Sequence, residues 1–168
     1  MAFVIENDTV VSFAEFQDVL DKDQRIFEAN EGLSDDLVDR ALIKSTERIL
    51  TRLRNTSWWR QYYTVNSGVN ITKVGDIPAL DPNKIKSREG DFTDLCVFVG
   101  LSEQILPGIA DFSNEDSAER QKMGYYTQRA EALFMELVTA GDWYDFNNDD
   151  TIVSDEKLAG QINLKRVR

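Results

Sequence analysis

The chain has 168 residues, 42% of them hydrophobic, and a formal net charge of −11. Its length suits one domain with a real core, and nine Phe, five Tyr and three Trp supply the apolar bulk that an acidic disordered chain lacks. The charge opposes non-specific attraction to nucleic acid and anionic membranes. The absence of His removes His-based triads and most zinc sites, and the single Cys96 precludes an intramolecular disulfide.

The N-terminal "MAFVIENDTVV" has no basic n-region. No stretch approaches the roughly 20 apolar residues of a spanning helix, so a soluble protein made in a cytoplasm is expected. Ser12 and Glu15 in "SFAE" read as a capping box. Phe13, Phe16, Val19 and Leu20 then recur at helical spacing, with the pattern running to Phe27 and stopping at Gly32. A second start falls at Ser34, where Asp35 and Asp36 sit against the positive end of the helix dipole. Leu37, Val38, Ala41, Leu42, Ser45, Ile49, Leu50 and Leu53 continue in steps of three and four, giving the clearest amphipathic helix in the chain, over residues 34–55.

That helix carries Arg40, Lys44, Arg48 and Arg52 at i, i+4 spacing. With Arg54 and Arg60, residues 40–60 hold six bases and one acid, Glu47. Such a stripe either faces water with ion pairs to neighbouring helices or grips an acidic partner. "SWWRQYYTV" follows, with Trp58, Trp59, Tyr62 and Tyr63. Aromatics beside Arg stack bases in single-strand binders, but they also anchor cores and interfaces; lacking a repeated aromatic strand pattern, core or interface is favoured.

Residues 64–92 contain Gly75, Pro78, Pro82 and Gly90 and no helical period, so they read as a long loop with a short strand at "VNITKV". Lys84, Lys86 and Arg88 make it locally basic. In "DFTDLCVFVGLSEQILPGIADF", Asp91 caps a helix to about Gln104, with Pro107 and Gly108 ending it, although residues 95–99 fit a buried strand equally well. Ser113 opens the last long helix, with Asn114, Glu115 and Asp116 in its first turn. Met123, Tyr126, Ala130, Leu133, Phe134, Leu137 and Val138 form its buried face, and Gly141 ends it. The expected fold is mainly α: a bundle of about four helices with a long irregular loop, a single helical domain over 1–160, and an extended arm at 161–168.

"DFNNDDTIVSDE", residues 145–156, fits the spacing of a calcium-binding loop. Asp145, Asn147, Asp149, Thr151, Val153 and Glu156 occupy the ligand positions, and Ile152 falls where such loops turn an apolar side chain inward. Asp150 departs from the template, standing where a left-handed backbone favours Gly. No long helix can follow Glu156, and no partner loop exists. The alternative is a turn of Asx residues held by hydrogen bonds without a cation; any calcium affinity would be weak, around 10⁻⁴ to 10⁻³ M.

The chain ends "QINLKRVR", with Ile162, Leu164 and Val167 interleaved with Lys165, Arg166 and Arg168. It reads as an extended arm for a sheet edge or an acidic groove of another subunit. Carboxylates are so frequent that no catalytic pair stands out, and no phosphate-binding Gly loop occurs, so a non-enzymatic role is expected.

"LVDRALIKSTERILTRLRNTSWW", the late "DFNNDDTIV" and the basic terminal "VR" together resemble the head–tail connector (adaptor, or head-completion) proteins of tailed bacteriophages. The likeness covers most of the chain in order of elements. It implies a virion protein made in the host cytoplasm and placed at the head–tail interface, forming a ring of about twelve copies between the portal and the tail or next connector protein. DNA would be only passing cargo, no membrane would be involved, and no cofactor is implied beyond weak calcium at the loop. Residues 161–168 would dock on the portal or a neighbour; the stripe Arg40, Lys44, Arg48 and Arg52 and the loop cations Lys84, Lys86 and Arg88 would grip adjacent subunits. The rival reading is a single-stranded nucleic-acid-binding module built on residues 40–60 and their aromatic cluster.

Overall fold

The computed structural model describes residues 3–30, 32–66, 73–114 and 117–152. A hairpin of β1 (Val4–Glu6) and β2 (Thr9–Ser12) precedes α1 (Phe16–Lys22), α2 (Gln24–Ala29), α3 (Asp35–Arg54), α4 (Ser57–Asn66) and α5 (Glu89–Val99). A π-helical stretch, Gly100–Ile105, leads into α6 (Leu106–Ile109), and α7 (Ala118–Ala140) follows. The fold is mainly α. The chain divides into two compact units, the first Met1–Ile49 with Arg88–Glu136, the second Leu50–Ser87 with Leu137–Arg168.

In the first unit, the hairpin turns on Asn7 (φ 49°) and Asp8 (φ 60°), the two residue types that best tolerate left-handed backbone, and pairs Glu6 with Thr9. Ser12 therefore closes a strand and does not cap a helix; its hydroxyl donates to the Ala14 carbonyl at 2.7 Å. The capping box forms one turn later, where the Asp18 carboxylate accepts the Glu15 N–H at 2.9 Å. Asp23, with φ −149°, splits the expected single helix into α1 and α2.

Helix α3 follows its sequence pattern closely, and Val38, Leu42 and Ile49 are fully buried in this unit. Two buried polar residues of this helix are satisfied: Ser45 donates to the Ala41 carbonyl one turn back, and the Thr46 hydroxyl accepts the Phe13 N–H at 3.0 Å. Residues 95–99 are helical. Helix α5 is buried nearly all round, with Phe92, Leu95 and Cys96 at 0% exposure, which is why no helical period separated it from a strand. Contrary to the sequence expectation, the continuous helical run Glu89–Ile109 is long and apolar enough to cross a membrane by length and composition, and most of it is buried inside the protein. Pro107 and Gly108 lie within α6. At Gly100 a Cβ would stand 3.2 Å from Leu42 Cδ2, so the glycine lets this run approach α3 closely. Helix α7 starts later than Ser113: the Ser117 hydroxyl accepts the Arg120 N–H at 3.3 Å and caps it, while Ser113 donates to Asp111.

In the second unit, the Thr56 hydroxyl accepts the Trp59 N–H and so caps α4. Trp58, Trp59, Trp143, Tyr144 and Phe146 form its core, with Trp58 and Trp143 centroids 4.7 Å apart and Trp59 edge-on to Tyr144 at 5.2 Å. The loop is tied to this core at several points. Arg54 and the Trp59 indole donate to the carbonyls of Ile77 and Pro78, and Ile85 bridges Tyr144. Of the expected strand "VNITKV", residues 69–72 lie outside the described residues, and Val74 opens a 3₁₀ turn, Val74–Asp76. A second turn spans Pro82–Lys84. Gly141, at φ 58°, ends α7 where the sequence placed its stop.

Candidate functional site

Helix α3 holds the basic stripe on a surface. Arg40, Lys44 and Arg48 are exposed and Arg52 is half-buried. Arg40 donates through Nε to the Asp36 carbonyl one turn back, and Arg48 Nε lies 3.5 Å from the Glu103 carboxylate. Arg40 and Lys44 line a groove with Leu37 and Gln104.

The segment 145–152 is an elbow built from nested Asx turns. Asp145, fully buried, accepts the N–H groups of Asn148 at 2.6 Å and Asp150 at 2.9 Å. Asn147 accepts the Asp149 N–H, and one Asp149 oxygen takes both the N–H and the hydroxyl of Thr151. These bonds hold the Asp149 carboxyl below its ordinary range, the Thr151 hydroxyl being the largest cause. Asn148 (φ 62°) and Asp150 (φ 63°) are left-handed, so Asp150 adopts the backbone that the sixth position of a calcium loop requires. Val153 and Glu156 lie outside the described residues. Among the described residues no three acidic or cysteine side chains converge as a metal site needs. The positive charge at the elbow comes from Lys86, whose Nζ lies 2.8 Å from Asp150; that hydrogen bond raises the Lys86 pKa above its ordinary value.

The other loop cations are also engaged within the chain. Lys84 Nζ reaches the Phe146 carbonyl at 3.5 Å, and Arg88 bridges Asp91 and Glu136, with Glu136 the larger cause of its raised pKa. Each of the three loop cations expected to grip an adjacent subunit thus makes a contact within the chain. The expected docking-arm residues Ile162, Leu164, Lys165, Arg166, Val167 and Arg168 lie outside the described residues, as do the side chains of Tyr62 and Tyr63. Trp58 and Trp59 are 5% and 0% exposed, so neither offers a ring face to a base.

Two features escaped the sequence reading. An acidic network in the first unit centres on Asp23, whose carboxylate takes the Lys122 ammonium at 2.7 Å and the Tyr126 hydroxyl at 3.0 Å. Burial, then Asp23, pushes the Tyr126 phenol well above its ordinary pKa. The hairpin also frames a groove of about 220 Å³ with Glu6, Glu15 and Asp39 around Val11 and Ile43. The signal for it was in "VIENDTVV", two β-branched runs around Asn-Asp, a hairpin signature.

These features define a helical protein whose charged surfaces outnumber its enclosed chemistry. No family model matches the chain, and neither a curated protein nor a solved structure matches it significantly.

Proposed function

We propose that this chain is a structural virion protein, a head-completion or adaptor subunit that joins the portal of a tailed phage capsid to the tail as one member of a ring. The observation that carries the reading is α3: an unbroken helix, Asp35–Arg54, with one buried face and an exposed basic flank, in a chain of net charge −11. A ring subunit needs such a rigid element, because neighbours must meet at a fixed angle for the ring to close. The helix also contains most of the motif that resembles the connector proteins. The acidic remainder suits a channel wall past which DNA moves without adhering. The basic apolar tail, residues 161–168, supplies the grip on the portal or a neighbour.

Deleting residues 161–168 tests the reading. The truncated protein is expected to fold, with unchanged helix content and melting, yet to fail to complete heads in an assembly reaction with portal-bearing capsids. Completed, infectious particles from the truncated protein would remove the arm from the proposal. The rival nucleic-acid module keeps one supporting feature, the basic flank, while the burial of Trp58 and Trp59 weighs against base stacking. It predicts single-strand binding that weakens steeply with salt; fluorescence anisotropy at low salt separates the two.

A further inference from the structure

The first unit presents two grooves on opposite flanks of α3, and their chemistries are complementary. On one flank Asp39 and Ile43 face the hairpin, where Glu6 and Glu15 complete an acidic rim around an apolar floor. On the other flank Leu37, Arg40 and Lys44 line a groove against Gln104. Leu37 and Gln104 also belong to a larger cavity of mixed lining, where Leu33, Ile105 and Ile109 meet Glu28 and Asn30.

Each flank exposes a large apolar side chain that the chain itself leaves uncovered: Ile43 at 36% on the acidic side and Leu37 at 42% on the basic side. The side chains of Glu6, Asp39 and Lys44 have no partner among the described residues, and the Arg40 side chain donates to the Asp36 carbonyl one turn back on its own helix. Charges on an isolated helix surface usually pair along the helix at i, i+4, as Glu before Lys. Here Asp39 stands on one flank while Arg40, Lys44 and Arg48 follow one another at i, i+4 on the other, and charge complementarity of this kind sets register between two bodies.

We infer that the two flanks of α3 are the two halves of one head-to-tail contact between copies of this chain, the acidic hairpin groove of one copy seating against the Leu37–Arg40–Lys44 flank of the next. Because the two surfaces differ, the contact is heterologous and repeats: it leaves an open acidic groove at one end and an open basic flank at the other until a ring closes. This names the subunit interface of the ring proposed above and rests on that reading, but it does not involve residues 161–168 or the portal.

Sedimentation velocity on the full chain tests it with two charge reversals at exposed positions, Arg40→Glu with Lys44→Glu, and Glu6→Lys with Asp39→Lys. The wild type is expected to assemble beyond a dimer with rising concentration and falling salt. Each double variant, with circular dichroism and melting like wild type, is expected to self-associate roughly 10²-fold more weakly. An equimolar mixture of the two variants is expected to regain assembly, because one then carries two acidic surfaces and the other two basic ones, so every mixed contact is attractive. A wild type that stays monomeric or stops at a dimer, a variant that assembles as the wild type does, or a mixture that stays monomeric would each overturn the interface. Failure here leaves the particle-assembly result with the tail deletion untouched, so the two readings fail separately.

Discussion

Lys86 and Asp150 meet at 2.8 Å, tying the irregular loop to the elbow that follows α7. The pair is solvated, with the Asp150 side chain 83% exposed, whereas the neighbouring Asp145 is fully buried and accepts two backbone N–H groups. The elbow should therefore depend on Asp145 and hardly on the ion pair. Asp145→Ala leaves two backbone donors unsatisfied and is expected to cost about 2–3 kcal/mol in urea unfolding. Lys86→Ala is expected to cost less than about 0.5 kcal/mol. Equal losses from both would mean that the exposed pair, not the Asx turns, organises the segment.

The same geometry bears on calcium. The backbone at Asn148 and Asp150 is shaped as a calcium loop would be, but the Asx oxygens already take the loop's N–H groups and Lys86 provides a fixed cation beside them. Titration calorimetry with millimolar calcium is expected to show no binding heat, and the wild-type melting temperature is expected to stay the same. A calcium-dependent rise in melting that disappears in Asp145→Ala would show instead that a metal holds the elbow.

Cys96 predicts an alkaline weakness. Burial pushes its thiol up to about 11 from an ordinary value of 9.0, while the Thr46 hydroxyl, 3.4 Å from the sulfur, pulls the other way. The folded state thus keeps a proton that the unfolded state gives up. The thiol's contribution is fully present below about pH 9 and is lost as pH rises towards 11, at about 1.4 kcal/mol per pH unit at most. Urea unfolding at pH 8 and pH 10 should show this loss in wild type and a smaller one in Cys96→Ala. An identical pH dependence in the variant would assign the effect elsewhere. At pH 8 the native thiol should also resist alkylation that proceeds readily in urea.

Asp23 supports the first unit through two partners from α7. Replacing it by Ala leaves the buried Tyr126 hydroxyl and the Lys122 ammonium without their acceptor, at an expected cost of about 2–3 kcal/mol. Asp23→Asn keeps an acceptor for Tyr126 and should lose less. A loss below about 0.5 kcal/mol for the Ala variant would place the network among the surface ion pairs that contribute little.

Helix α3, the end of α7 at Gly141 and the aromatic anchoring of Trp58 and Trp59 were legible in the sequence, because each rests on local signals: a 3.6-residue period, a left-handed glycine and bulky apolar side chains. The hairpin escaped the reading although Asn7 and Asp8 signal its turn, because its short strands run into the helical apolar spacing of Phe13 and Phe16. Other features had no local signal. Asp23 meets Lys122 and Tyr126 across about a hundred residues of chain, and Lys86 meets Asp150 across 64. A charge written in the sequence is only a charge; which partner neutralises it is decided by the fold. So the sequence by itself determined a mainly helical chain with a basic flank in an acidic background. Only the tertiary structure decided that the loop's cations make contacts within the chain, while Asp39 and Lys44 on two flanks of α3, and Glu6 on the hairpin beside it, have no partner among the described residues. The physical reason is that pairing depends on distance in space, which backbone period and composition do not encode.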